Sequence, residues 1–181
     1  ANLKLEYFSP TGSFKDRGTS VLIKQAHKNG VTEFAEDSSG NAGASMSAYA
    51  ANIGMKAHIF TPSSTPENKK NQIKIFGSEL HLIDGPRENS TIEVKKFTNS
   101  TGITYLSHNY NPFFIEGMKS FGEEVFNKFG PEITDIVIPV GNGSLLLGVK
   151  KAYEELISLN KIKKMPKIHC IQVEGFSPIV K

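Results

Sequence analysis

The feature that most restricts the fold of this chain is a repeated alternation of short strand-like segments with longer helical ones, punctuated by glycine and proline. Residues 3–8 read as a strand and Ser9-Pro10-Thr11-Gly12 as a turn. Residues 14–28 read as a helix, with Val21, Leu22, Gln25 and Ala26 near helical spacing and Gly30 as the stop. Further strands are expected over 32–36, 56–60, 79–83, 103–106, 134–140 and 168–174. Helices are expected between them, over 42–53, 66–76, 88–99, 113–128 and 145–159. Pro66 suits a first helical turn, where its missing N–H costs nothing. The run from Thr134 to Val140 is apolar enough for a buried parallel strand. A recurring strand–helix unit predicts an α/β fold: an open three-layer αβα architecture with mostly parallel sheets and helices on both faces.

Composition narrows the functions such a fold can serve. Of the 181 residues, 38% are hydrophobic and 22% charged, which is globular rather than disordered. Net charge is +3, too balanced to argue for nucleic acid as a partner. Two local lysine groups, Lys69, Lys70 and Lys74, and Lys161, Lys163 and Lys164, read as solvated faces. No apolar run approaches the roughly 20 residues of a membrane span. The N-terminal Ala-Asn-Leu-Lys-Leu-Glu has no signal-peptide pattern, so a cytoplasmic location is expected. It also lacks an initiator Met, which suggests processing or excision from something longer. A single cysteine, Cys170, excludes an internal disulfide, and its apolar strand context predicts a core residue. The five histidines are scattered without metal-ligand spacing and read as surface or strand residues, so no metal site is expected.

Two loops share the design strand, Gly/Ser/Asn-rich loop, helix: Ser38-Ser39-Gly40-Asn41-Ala42-Gly43 and Gly141-Asn142-Gly143-Ser144. A helix N-terminus offers unpaired N–H groups and a positive dipole end, and glycine lets a ligand approach the backbone. In an open α/β sheet both loops would lie beyond the carboxyl ends of the strands, where ligands gather. They read either as two ordinary helix caps or as two anion sites for one ligand, or a ligand pair, with two anionic groups. The second loop is not a dinucleotide fingerprint, because Leu146 stands where the third glycine would be, and no Gly-Lys-Ser/Thr follows it. A third segment, Pro10-Thr11-Gly12-Ser13-Phe14-Lys15-Asp16-Arg17-Gly18, puts a lysine at a helix start beside an aromatic ring. The positive helix end and partial burial would both lower the pKa of Lys15. A neutral amine is what Schiff-base chemistry requires, although this segment alone reads first as a solvated helix-start lysine.

Taken together and in this order, the three segments resemble those of the fold-type II (tryptophan synthase β family) pyridoxal-phosphate enzymes, and within them the threonine synthases most. Ser13-Phe14-Lys15-Asp16-Arg17-Gly18 resembles the cofactor-lysine motif, 38–43 the Ser-Ser-Gly-Asn-x-Gly loop, and 139–148 the phosphate loop. Asn111-Pro112-Phe113-Phe114-Ile115-Glu116-Gly117-Met118-Lys119-Ser120 resembles the family's Asn-Pro-x-x-x-Glu-Gly-x-Lys-Thr stretch. The resemblance implies that Lys15 forms the Schiff base with pyridoxal 5'-phosphate and shuttles protons. It implies that Asn41 bonds the cofactor's ring oxygen, and that Gly141, Asn142, Gly143, Ser144 and Leu145 hold its phosphate. Ser38, Ser39, Gly40 and Asn41 would take the substrate carboxylate, and Phe14 would pack beside the cofactor.

The reaction implied is conversion of O-phospho-L-homoserine and water to L-threonine and phosphate, a lyase step in threonine biosynthesis. The alternatives on the same fold are a serine/threonine dehydratase, a cysteine- or cysteate-forming β-replacement enzyme, and a non-catalytic domain that binds phosphate or an amino acid. Asp16 and the Glu116-Gly117-x-Lys119 stretch favour the threonine synthase reaction over the dehydratase. Ser144 departs from the family, where many members carry glycine. The resemblance further implies a small amino-acid substrate, a homodimer as the common assembly, and two domains. Residues 14–118 would form the smaller mobile domain, and 1–13 with 119–181 part of the larger one. Family members are roughly twice as long, so the C-terminal part of the larger domain is expected to be missing, with exposed sheet as the consequence.

Overall fold

The computed structural model describes residues 1–38, 40–175, 177 and 179. The chain divides into two compact units, Ala1–Asn111 and Pro112–Lys181. Their boundary falls between Asn111 and Pro112, and residues 1–13 fall within the first unit.

The first unit holds β1 (Glu33–Asp37), β2 (Lys56–Pro62), β3 (Glu79–Ile83) and β4 (Thr104–Tyr105), with α1 (Lys15–Lys28), α2 (Asn41–Asn52), α3 (Glu67–Lys74) and α4 (Arg87–Thr101). The sheet order is β3-β2-β1-β4 and every pairing is parallel. Side chains alternate across a strand. Ala35 and Phe60 therefore meet Val94 of α4 on one face, with Phe97 and Tyr105 packed against them. Phe34 and Ile59 point to the other face and are fully buried, and Gly43 of α2 lies against Ile59. Helices cover both faces, giving the three layers expected of the alternating pattern. The chain moves outward from β1 through β2 to β3, then returns by α4 to place β4 on the other side of β1. That reversal makes the carboxyl end of β1 the topological switch point, the position where open α/β sheets bind ligands.

The second unit holds α5 (Pro112–Phe129), β5 (Asp135–Pro139), α6 (Ser144–Ser158) and β6 (Lys167–Ile171), with β5 and β6 paired in parallel. α5 and α6 pack closely because small residues face each other. Gly148 sits against the Met118 backbone and Gly122 against Ala152. Lys119 bridges the two helices, 2.7 Å from Glu116 and 2.9 Å from Glu155, and Lys151 of α6 also pairs with Glu116. Glu116, Gly117 and Lys119 of the sequence motif thus belong to the α5–α6 interface, with Gly117 buried.

Three expectations change. Residues 3–8 form no strand: Glu6–Phe8 is a 3-10 turn, and Leu3 and Phe8 are 88% and 77% exposed. Among the described residues no strand offers this segment a ladder, and Glu6 is instead held by the Arg17 guanidinium at 2.7 and 2.9 Å. β5 is buried on one face alone. Ile136 and Ile138 are buried, but Val137 on the opposite face is 64% exposed, so an apolar run was no guide to two-sided cover. Cys170, expected in the core, is half-buried in β6.

Candidate active site

Lys15 occupies the first position of α1, and the residues around it are organised by short-range bonds. The turn before it needs glycine at Gly12, where φ is +76°. Ser13 Oγ accepts from the Lys15 backbone N–H at 3.2 Å. Asp16, almost fully buried, accepts from Thr11 N–H at 2.7 Å, Thr11 Oγ1 at 2.6 Å and Ser45 Oγ at 2.6 Å. Its charge also lies in the first turn of α1, where the helix dipole favours an anion. One carboxylate therefore ties the turn to α1 and α1 to α2. Ser13, Asp16 and Arg17 each have a structural task.

Burial pushes the Lys15 amine down to about 8, with the negative charge of Glu36 working in the opposite direction. Its Nζ lies 4.6 Å from the centre of the Phe14 ring. Glu36 sits on β1, fully buried, and its carboxyl is pushed up chiefly by that burial, with His108 holding it back. His108 pairs through Nδ1 with Glu36 and donates its backbone N–H to the same carboxylate at 3.2 Å. Beside it Asp37 accepts from Thr91 Oγ1 at 2.5 Å and from the Tyr105 hydroxyl. Burial and the Asp37 hydrogen bond push the Tyr105 phenol up, so it remains a donor. These buried charges lie at the carboxyl end of β1, the switch point. Sequence reading missed Glu36, Asp37, Tyr105 and His108. The available signal was Glu36-Asp37, an acidic pair closing an apolar strand just before a glycine loop. His108 lies in the loop after β4 and is buried, neither of the two settings expected for it.

The loop after β1 leads into α2. Ser38 is buried and its backbone N–H donates to Phe60 O at 3.1 Å. Ser39 lies outside the described residues. Gly40 is the N-cap, and its carbonyl accepts from Ala44 N–H, the first bond within the helix. The N–H groups of Asn41, Ala42 and Gly43 therefore have no partner inside α2. Asn41 is exposed, and its Oδ1 accepts from Lys69 Nζ at 2.6 Å. A Cβ on Gly43 would stand 3.1 Å from Ile59, 3.2 Å from Ile73 and 3.3 Å from Ser38 O, so glycine here allows α2 to start close to the sheet.

In the second unit, Gly141, Asn142 and Gly143 lead from β5 into α6. Gly143 is the N-cap with φ +91°, in the left-handed region. Asn142 Oδ1 accepts from Ser144 N–H at 3.2 Å and Ser144 Oγ at 3.1 Å, which fixes the loop. The first helical bond runs from Leu147 N–H to Gly143 O, so the Leu145 and Leu146 N–H groups have no acceptor inside the helix. A Cβ on Gly141 would meet nothing within 4 Å. The loop thus offers accessible backbone donors at a positive helix end, which suits a phosphate.

A family model for "Pyridoxal-phosphate dependent enzyme" matches residues 2–181, and the chain belongs to that family. Pyridoxal phosphate is the family's cofactor. An amine lowered by burial and a glycine-rich helix start are the donor types that an aldehyde and a phosphate require. The chain is 32% identical over 180 residues to a threonine synthase of Methanocaldococcus jannaschii, covering 98% of this chain and 44% of that protein. It is 34% identical over 179 residues to a threonine synthase of a Bacillus species, covering 98% and 50%. The processed form of threonine deaminase isoform 2 from Solanum lycopersicum shares the fold, with a TM-score of 0.84 at 22% identity, over 96% of this chain and 46% of that one. The chain spans about half the length of the curated relatives it matches.

Proposed function

We propose that this chain carries the reactive lysine, substrate loop and phosphate loop of a threonine synthase-type lyase, which converts O-phospho-L-homoserine and water to L-threonine and phosphate. The observation that carries this reading is the Lys15 amine, lowered to about 8 by burial at the start of α1 and next to the buried Glu36–His108 pair. Similarity to threonine synthases over 98% of the chain supports the particular reaction. When bound, pyridoxal phosphate supplies an aldehyde that condenses with an amine and a ring that withdraws electrons from the carbon bearing that amine.

On this reading Lys15 attacks as the neutral amine, which a value of about 8 makes available to roughly a tenth of the molecules at pH 7. Lys15 Nζ would take the proton from the substrate Cα and move protons at Cβ. Gly141, Asn142, Gly143, Ser144 and Leu145 hold the cofactor phosphate, and the Asn41 amide donates to its ring oxygen. Ser38, Ser39, Gly40 and Asn41 bind the substrate carboxylate, helped by the N–H groups that open α2. Phe14 keeps water from one side of Lys15. Residues 14–118 act as the smaller, closing domain, with 1–13 and 119–181 in the larger. The substrate is a small amino acid, the location cytoplasmic and the assembly a homodimer.

The test is made on the longest natural polypeptide that contains these residues. Pyridoxal phosphate is added, reduced with borohydride and mapped by peptide mass, then O-phosphohomoserine turnover is followed by product analysis. Label on Lys15 with release of threonine and phosphate in equal amounts supports the reading. Label on another lysine overturns the role of Lys15, and a 2-oxo acid or a β-replacement product overturns the reaction.

A further inference from the structure

The sheet brings together a second polar cluster, at the opposite end of the first unit's strands from Lys15 and the β1 loop. Glu79 on β3 lies opposite His58 on β2, and His81, two residues further along β3, shares its face. His58 Nδ1 is 3.2 Å from His81 Nε2 and 3.4 Å from Glu79 Oε2. The three ligand atoms all lie within 4.8 Å of one another. Tetrahedral ligands bound at 2.0–2.1 Å stand about 3.3–3.4 Å apart along each edge. Two edges of such a tetrahedron are therefore already set by strand pairing.

The surroundings fit the same purpose. His58 Nε2 lies 2.7 Å from Glu33 Oε1 on β1, and His58 is buried. A proton donated to Glu33 leaves the Nδ1 lone pair facing His81 and Glu79, the carboxylate–histidine arrangement that orients imidazole toward a metal. Phe60 stacks on His81 at 4.2 Å with the rings 7° apart, and Phe97 closes against both imidazoles at 5.0 and 5.5 Å. The imidazole positions are thus fixed by packing, while the Glu79 side chain is half-exposed and gives an ion access. Lys56 Nζ, 3.0 Å from Glu33 and 3.3 Å from Glu79, neutralises part of the acidic charge. It is itself largely exposed and free to turn outward when an ion arrives.

We propose that His58, His81 and Glu79 form a binding site for a divalent transition-metal ion, with Glu33 orienting His58 and water completing the shell. Two imidazoles and one carboxylate suit zinc or a similar ion rather than calcium or magnesium. The ion would join β2 to the edge strand β3. The site is independent of the reaction proposed above, because its ligands lie near the amino ends of β2 and β3.

The protein, with cofactor present, is stripped with chelator, titrated with zinc sulfate by calorimetry and analysed for bound metal after dialysis. One zinc per chain at micromolar affinity or tighter is expected, with a rise in unfolding temperature. His81→Ala and Glu79→Gln should each weaken binding by at least about 10-fold, and Glu33→Gln by about 10- to 100-fold. Glu79→Gln changes an exposed side chain at the sheet edge, so it keeps the test valid if His81→Ala is unstable. Cobalt(II) in place of zinc should give the visible absorption of a tetrahedral site. Failure to retain zinc in stoichiometric amount, or retention unchanged in Glu79→Gln, would overturn the proposal. Neither outcome bears on Lys15.

Discussion

At the scale of single residues, function and stability pull in opposite directions at Lys15. Its folded pKa of about 8 lies below its ordinary value of 10.5. Below pH 8 both folded and unfolded chains carry the proton, and the folded chain bears the full cost of a buried charge. Between about 8 and 10.5 only the unfolded chain holds that proton, so stability rises with pH through this window. Lys15→Met should accordingly stabilise the cofactor-free chain at pH 7 by up to about 3 kcal/mol. The gain should shrink toward zero as pH climbs past 10, which urea denaturation at a series of pH values would measure. Asp16 is the opposite case, a charge with every partner in place. Asp16→Ala strands the fully buried Ser45 hydroxyl and frees the turn at Thr11. A loss of about 2–4 kcal/mol is expected in the same assay. Asp16→Asn, which keeps one acceptor, should lose less.

At the scale of elements, two glycines of one loop–helix unit do different work, Gly141 in the loop and Gly148 within α6. Gly148 is where α6 crosses α5: an added Cβ would stand 2.3 Å from Met118 Cβ and 2.7 Å from its carbonyl carbon. Backbone cannot turn aside as a side chain can, so Gly148→Ala should force the helices apart and cost about 1–3 kcal/mol or more. Thermal unfolding would show it directly. Gly141 has nothing within 4 Å of the same added carbon. Gly141→Ala should leave the unfolding temperature unchanged within error and still weaken pyridoxal phosphate binding, read by absorbance titration. Equal cofactor affinity in that variant would remove Gly141 from the phosphate loop. Most element positions could be read from sequence, because Gly30, Gly54, Gly77 and Gly102 take positive φ where segments end. The exception at residues 3–8 shows the limit of that reading: alternation describes a strand's faces and says nothing of whether a neighbour exists to pair with it.

For the whole molecule, the question is which surfaces are covered. The first unit's sheet has helices on both faces, whereas β5 and β6 leave Val137 and Ile171 exposed, at 64% and 56%. Parallel strands are ordinarily covered on both sides. This 181-residue chain alone should associate as concentration rises, and Val137→Lys should reduce that association without lowering the unfolding temperature, as light scattering across a dilution series would report. Among the described residues no helix is long and apolar enough to cross a membrane.

What could be read from the linear chain was whatever depends on near neighbours. Helix starts, glycine turns, the lysine beside Phe14 and the two glycine-rich loops are all local patterns, since capping and backbone freedom act over a few residues. The charge that acts on Lys15, and the histidine paired with it, were not readable in this way. Glu36 and His108 are 72 residues apart and meet because β1 and β4 are paired. His58, Glu79 and His81 show no ligand spacing in the chain and converge because β2 and β3 lie in register. Burial, which lowers the Lys15 and His81 pKa values and raises that of Glu36, follows from strand order and helix placement. Both are products of long-range pairing, which no local pattern encodes.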